Sequence, residues 1–164
     1  MRPITLLQPQ RLAFGRGCSG DCAPYLRRLG LRRAWLVTAP PTLSLAKTVA
    51  DSIRDQGLQV EIYDGIDREP TLDMFQAALA AAKNAAPDAI VGLGGGSPLD
   101  VAKLIAAFLN SEQRVEDAFG IDLLAGRTIF LACLPTTAGT GSEVSPNAIL
   151  LDEAERLKKG VVSS

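Results

Sequence analysis

Asp88-Ala89-Ile90-Val91-Gly92-Leu93 runs without a break into Gly94-Gly95-Gly96-Ser97-Pro98-Leu99-Asp100, and this junction decides the reading of the chain. The first part is a short apolar run bounded by Pro87 and the glycines, which reads as a strand. The glycines permit positive φ and let a ligand come close to backbone N–H groups. Ser97 reads as an N-cap, Pro98 as the first helical residue and Asp100 as the acid three residues after the cap. A helix over residues 98–109 follows, with Val101, Ala102, Leu104, Ile105 and Phe108 facing inward. Free amides and a helix dipole at such a turn suit a phosphate or pyrophosphate. The competing reading is a plain, well-capped turn; the backbone entropy lost by successive glycines argues against it. The spacing matches neither G-x-G-x-x-G nor a Walker pattern.

The same alternation extends outward in both directions. Residues 33–38 form a short apolar strand stopped by Pro40-Pro41, and a helical pattern of Leu43, Leu45, Ala46, Val49, Ala50 and Ile53 ends at Gly57 as a C-cap. Residues 58–63 alternate as a second strand, Pro70-Thr71 opens an alanine-rich helix over 72–86, and residues 128–134 read as a fourth, wholly apolar strand. Strands alternating with helices predict an α/β, doubly wound parallel sheet covered on both sides. Asn147 to Leu151 and Leu157 to Val162, around the charged turn at 152–156, predict a C-terminal β-hairpin. Its Val161-Val162 strand is expected to leave a sheet edge uncovered, which suggests missing partner sequence.

Composition narrows the chemistry. The 164 residues are 47% hydrophobic, 21% charged and 5% aromatic, the profile of one globular domain able to bury roughly 70% of its extended surface. Seventeen basic against 18 acidic residues leave a net charge of −1, so no nucleic-acid or membrane partner is expected. The chain has no histidine, which removes Ser-His-Asp, Cys-His and His-ligated metal mechanisms from these residues acting alone. Binding is the expected activity, with no catalytic and no metal-ligating residue. Met1-Arg2-Pro3-Ile4 shows no export signal, and an odd number of cysteines fits the cytoplasm. Cys18 and Cys22 read as free thiols, Cys133 and Trp35 as core residues, and Glu143 as a solvated loop carboxylate.

The strand at 128–134 is followed by Pro135-Thr136-Thr137-Ala138-Gly139-Thr140-Gly141-Ser142-Glu143-Val144. This loop lies at the carboxyl end of a strand, where open α/β sheets place ligands, and its hydroxyls and glycines suit ribose and amide groups. Taken alone, a purely structural loop explains it equally well. Together with Gly94-Gly95-Gly96-Ser97-Pro98-Leu99-Asp100-Val101-Ala102-Lys103, it resembles the paired nucleotide-binding signatures of the iron-containing (group III) alcohol dehydrogenases.

That resemblance implies a Rossmann-like NAD(P)-binding domain over residues 1–164, as the N-terminal half of a two-domain dehydrogenase whose helical metal-binding domain is absent here. By the resemblance, Gly94, Gly95, Gly96 and Ser97 meet the cofactor pyrophosphate and Asp100 lies near the nicotinamide end. Thr136, Thr137 and Thr140 line the nucleotide cleft, and Asn147 and Lys158 add polar contacts. Read without the family, Lys158-Lys159 is a solvated turn. The implied reaction is hydride transfer between NAD or NADP and a small alcohol, aldehyde or ketone, with Fe²⁺ or Zn²⁺ bound by an aspartate and three histidines of the other half. The isolated chain is therefore expected to be inactive. Where many members carry an acid after the first strand, this chain has Ala39, which leaves NAD against NADP open. A homodimer is compatible with the family. The other readings are a stand-alone nucleotide-binding or regulatory module, and an enzyme similar to dehydroquinate synthase or glycerol-1-phosphate dehydrogenase.

Overall fold

The computed structural model describes residues 9–163; the opening residues 1–4, read above for an export signal, lie outside them. In chain order the elements are α1 (Cys22–Arg28), β1 (Arg33–Val37), α2 (Leu43–Asp55), β2 (Gln59–Tyr63), α3 (Leu72–Ala85), β3 (Ala89–Gly94), α4 (Gly96–Phe108), β4 (Gly120–Ile121), β5 (Phe130–Pro135), β6 (Asn147–Asp152) and β7 (Leu157–Val162). Strands β2-β1-β3-β5 form a parallel sheet in that order. The chain leaves β1 in one direction to reach β2, then returns past β1 to β3, so the strand order reverses between β1 and β3. Crevices in open α/β sheets form at the carboxyl ends beside such a reversal, and the glycine loop stands there.

Alternation along the central strands feeds two cores. Ala34 and Leu36 of β1 and Ala89, Val91 and Leu93 of β3 pack with Leu26 of α1 and Ala46, Ala50 and Ile53 of α2. Trp35, Val37 and Ile90 point the other way, onto Phe75 and Ala78 of α3 and Val101, Ile105 and Phe108 of α4. The sheet is thus doubly wound, as the alternation predicts, and Rossmann-like, as the family resemblance implies. Small residues let helix and sheet approach: a Cβ on Gly92 would stand 2.8 Å from the Cβ of Ala102. Thr71 caps α3 by accepting a hydrogen bond from the Met74 amide at 3.2 Å. Gly57, at φ +82°, follows the last turn of α2.

Four expectations need correction. Helix α4 starts at Gly96, two residues before the expected Pro98, with Gly95 as N-cap and Ser97 inside the first turn. Pro98 is tolerated there because first-turn N–H groups have no intrahelical acceptor. Asp100 is consequently not a capping acid. Strand β5 is the sheet's edge, so Leu131, Cys133 and Leu134 are only half-buried and Cys133 is not a core residue. The edge beside Val161 and Val162 is covered, since β4 pairs there in parallel through Gly120 and Ile121.

The hairpin β6–β7 is present as expected, and Ala148, Leu150 and Val161 bury against α3 and α4. Two outward amides of its outer strand β6 reach the rest of the fold, Ile149 N–H donating to Asp100 Oδ2 at 3.1 Å and Leu151 N–H to the Pro70 carbonyl at 2.8 Å, while a third, Asn147 N–H, donates locally to Ser145 Oγ at 3.2 Å. Among the described residues no helix is long and apolar enough to cross a membrane.

Candidate functional site

The glycine loop is shaped by what a side chain there would strike. Gly94 takes φ +147°, a region side chains rarely adopt, and a Cβ on it would collide with the Pro98 ring. A Cβ on Gly96 would stand 3.0 Å from Cγ2 of Thr140, and one on Gly95 would stand 3.5 Å from Oγ1 of Thr137. The two loops therefore touch backbone to side chain, joined further by the Thr136 N–H donating to the Gly94 carbonyl at 2.9 Å. The first intrahelical bond of α4 runs from Leu99 N–H to the Gly95 carbonyl at 3.4 Å, so the Gly96 and Ser97 amides lie ahead of the helical ladder.

A cleft of about 280 Å³ opens beside these amides. It is lined by Gly96, Ser97, Asp100, Thr140, Asn147 and Lys158, six residues that sequence reasoning had placed at a nucleotide. Gly94, Gly95, Thr136 and Thr137 do not line it; they meet one another, Thr136 at Gly94 and Thr137 at Gly95. Glu69, Pro70, Ser142, Ser145 and Ile149 complete the walls and were not foreseen. Lys158, read without the family as a solvated turn, faces the cleft, its Nζ 2.5 Å from Glu69 Oε1 with both side chains about half exposed.

Asp100 does not present a free carboxylate. Its Oδ1 accepts from Ser142 Oγ at 2.5 Å and lies 3.1 Å from Lys103 Nζ, while Oδ2 accepts from the Ile149 amide. Ser142 is buried at 6% exposure, and Lys103 also donates to the carbonyls of Ser142, Ser145 and Asn147. The i, i+3 spacing of Asp100 and Lys103 on a helix was the available signal for this pair. Glu143 departs from expectation: its Oε2 is buried and has no hydrogen-bond partner among the described residues. With Ser142 pinned to α4, the following residue is drawn against the protein rather than into solvent.

Burial pushes the thiol of Cys133 up to about 11, with Lys103 partly opposing, and that of Cys22 likewise to about 11, with Arg11 opposing. Neither has the depressed pKa of a reactive cysteine. Trp35 is a core residue as expected, stacked on Tyr63 at 5.9 Å. Behind Ala39, Thr38 donates to the Leu93 carbonyl at 2.9 Å and fastens the end of β1 to β3.

Glycine backbone, first-turn amides, hydroxyls, the Asp100 and Glu69 carboxylates and one cation, Lys158, paired with Glu69, thus converge on one cleft. Metal chemistry is not supplied by the same residues: the described chain holds no group of three His, Cys, Asp or Glu side chains that could hold an ion.

Comparison with known proteins bears on the family and the fold. A sulfoacetaldehyde reductase of Bilophila wadsworthia is 31% identical over 156 residues, covering 94% of this chain and 40% of its own length. An NAD-dependent methanol dehydrogenase of Bacillus methanolicus is 30% identical over 156 residues, covering 94% and 41% respectively. The crystal structure of a 1,3-propanediol oxidoreductase superposes with a TM-score of 0.93 at 29% identity, covering 99% of this chain and 43% of that one. The chain thus spans about two fifths of the length of the curated relatives it matches. A family model described as iron-containing alcohol dehydrogenase matches residues 9–164, both loops included. With its two signature loops meeting at Gly96 and Thr140, the chain belongs to the iron-containing alcohol dehydrogenase family.

Proposed function

We propose that residues 1–164 bind NAD or NADP as the nucleotide-binding portion of a two-domain alcohol dehydrogenase, in which hydride passes between the cofactor and a small alcohol, aldehyde or ketone. The observation that carries this is the cleft itself, where Gly96 and Ser97 at the start of α4 face Thr140, Asn147 and Lys158. The name of the methanol dehydrogenase relative supports NAD as one of the two cofactors.

In this reading the Gly95, Gly96 and Ser97 amides donate to the diphosphate oxygens, and the dipole of α4 favours their negative charge. Lys158 and Asn147 hold polar groups of the ribose or carboxamide on the hairpin side. The cofactor supplies a hydride donor or acceptor carbon, and the protein's contribution here is orientation. The metal-binding residues of this family do not fit onto this chain, which has no histidine, so no step is assigned to a metal here. These residues by themselves bind cofactor without turnover. We place the protein in the cytoplasm, with its cysteines as thiols.

Calorimetric titration of the purified chain with NAD⁺, NADH, NADP⁺ and NADPH tests this reading. Saturable heat with at least one pair is expected. The absence of binding to all of them overturns it, and alcohol oxidation by the chain alone overturns the claim of no turnover.

A further inference from the structure

Lys103 leaves α4 two turns after the glycine loop, and its ammonium meets four oxygens. It donates to the backbone carbonyls of Ser142 at 2.9 Å, Ser145 at 3.4 Å and Asn147, and it lies 3.1 Å from Asp100 Oδ1. An ammonium has three N–H donors and no acceptor, so converging carbonyls suit it in a way that they suit no neutral side chain. The Lys103 and Asp100 side chains are only 15% and 14% exposed, which weakens screening by salt.

The three carbonyls span residues 142–147, from the end of the threonine loop to the first residue of β6. Val144, Pro146 and Asn147 in that stretch are exposed, so apolar packing does little to hold it. Its anchors to α4 are polar: Ser142 Oγ on Asp100, the Ile149 amide on Asp100, and the carbonyls on Lys103. Lys103 itself does not line the cleft, whereas Thr140, Ser142, Ser145 and Asn147 do.

We infer that Lys103 is a positioning residue for the cleft: it gathers the 142–147 carbonyls onto α4 and thereby sets where Thr140 and Asn147 stand relative to the glycine amides. This rests on the nucleotide-binding reading above and deepens it. Without the ammonium, three carbonyls face one another beside a carboxylate, and their mutual repulsion opens the stretch. The glycine amides belong to the β3–α4 backbone and keep their places.

The test is Lys103→Met in the purified chain, read by binding of NADH and of ADP, and by amide hydrogen exchange without ligand. ADP keeps the diphosphate and lacks the nicotinamide riboside. Expected are a loss of NADH affinity of about tenfold or more, a loss of ADP affinity of about threefold or less, and faster exchange over residues 139–149 with protection retained over 101–108. Unchanged exchange at 139–149, or equal losses for both ligands, overturns the inference. Should the Met variant not fold, Lys103→Gln, which keeps an amide donor, is read by the same measurements against the same expectations. A wild-type chain that binds neither NADH nor ADP sinks the nucleotide-binding reading; a wild-type chain that binds both, with an indistinguishable variant, sinks only the role of Lys103.

Discussion

Gly96 and Thr140 meet across the cleft so closely that a single added Cβ would stand 3.0 Å from the threonine methyl. Gly96→Val is therefore expected to push the threonine loop outward, with a stability loss of about 1–3 kcal/mol from overpacking. NADH affinity is expected to fall by about tenfold or more, about 1.4 kcal/mol, measured by calorimetry beside a thermal melt. Unaltered affinity in the folded variant would falsify the close approach as a feature of the binding cleft.

Glu69 and Lys158 face each other over the same cleft at 2.5 Å, both about half exposed. A pair this accessible contributes about 0–1 kcal/mol to stability. Glu69→Gln should leave the melting temperature nearly unchanged, release Lys158 and remove one negative charge facing a diphosphate. Affinity for NADH is expected to rise by up to about fivefold at low salt, and the gain to shrink as ionic strength increases. A weaker complex in the variant would instead mean that Glu69 itself holds the ligand.

Thr71 is 2% exposed and caps α3, and the residue before it lines the cleft. Thr71→Ala removes that cap and is expected to cost about 1 kcal/mol. For a chain of this size the melting temperature should drop by about 2–4 °C. Thr71→Ser, which retains the hydroxyl, should recover most of the loss, and equal melts for both variants would show that the missing methyl, not the cap, matters.

Cys22 and Cys133 stay protonated in the folded chain up to about pH 11, against an ordinary thiol value of 9.0. Between those limits the unfolded chain releases protons that the folded chain keeps. The contribution is fully present below pH 9 and declines as the pH rises toward 11. Urea unfolding at pH 8 and pH 10.5 should show lower stability at the higher pH, with a smaller difference in the Cys22→Ala/Cys133→Ala double variant. An undiminished difference in that variant would assign the alkaline loss to other groups.

The strands and helices of the parallel sheet were legible because each carries its own period, and the hairpin because two apolar runs flank one charged turn. Other features are invisible for physical reasons. Strand β4 is two residues long and exists only through pairing with β7, some forty positions on. Helix α1 has seven residues, one of them Pro24, too few for a periodic signal. The start of α4 at Gly96 defies helix propensity, since glycine and serine are poor formers and Pro98 reads as a first position. At the site, the loops announced themselves by glycine and threonine content. Glu69, Ser142 and the task of Lys103 did not, because each depends on a partner that only the folded chain brings near.

The three outward amides of β6, all taken by Ser145, Asp100 and Pro70, have a bearing on self-association. A naked rim of donors recruits neighbouring chains into ribbons, whereas here those three N–H groups are already taken. Loosening Asp100 from Ile149 would expose such a handhold, so an Asp100 substitution is expected to favour fibrous precipitate during storage as well as to disturb the cleft.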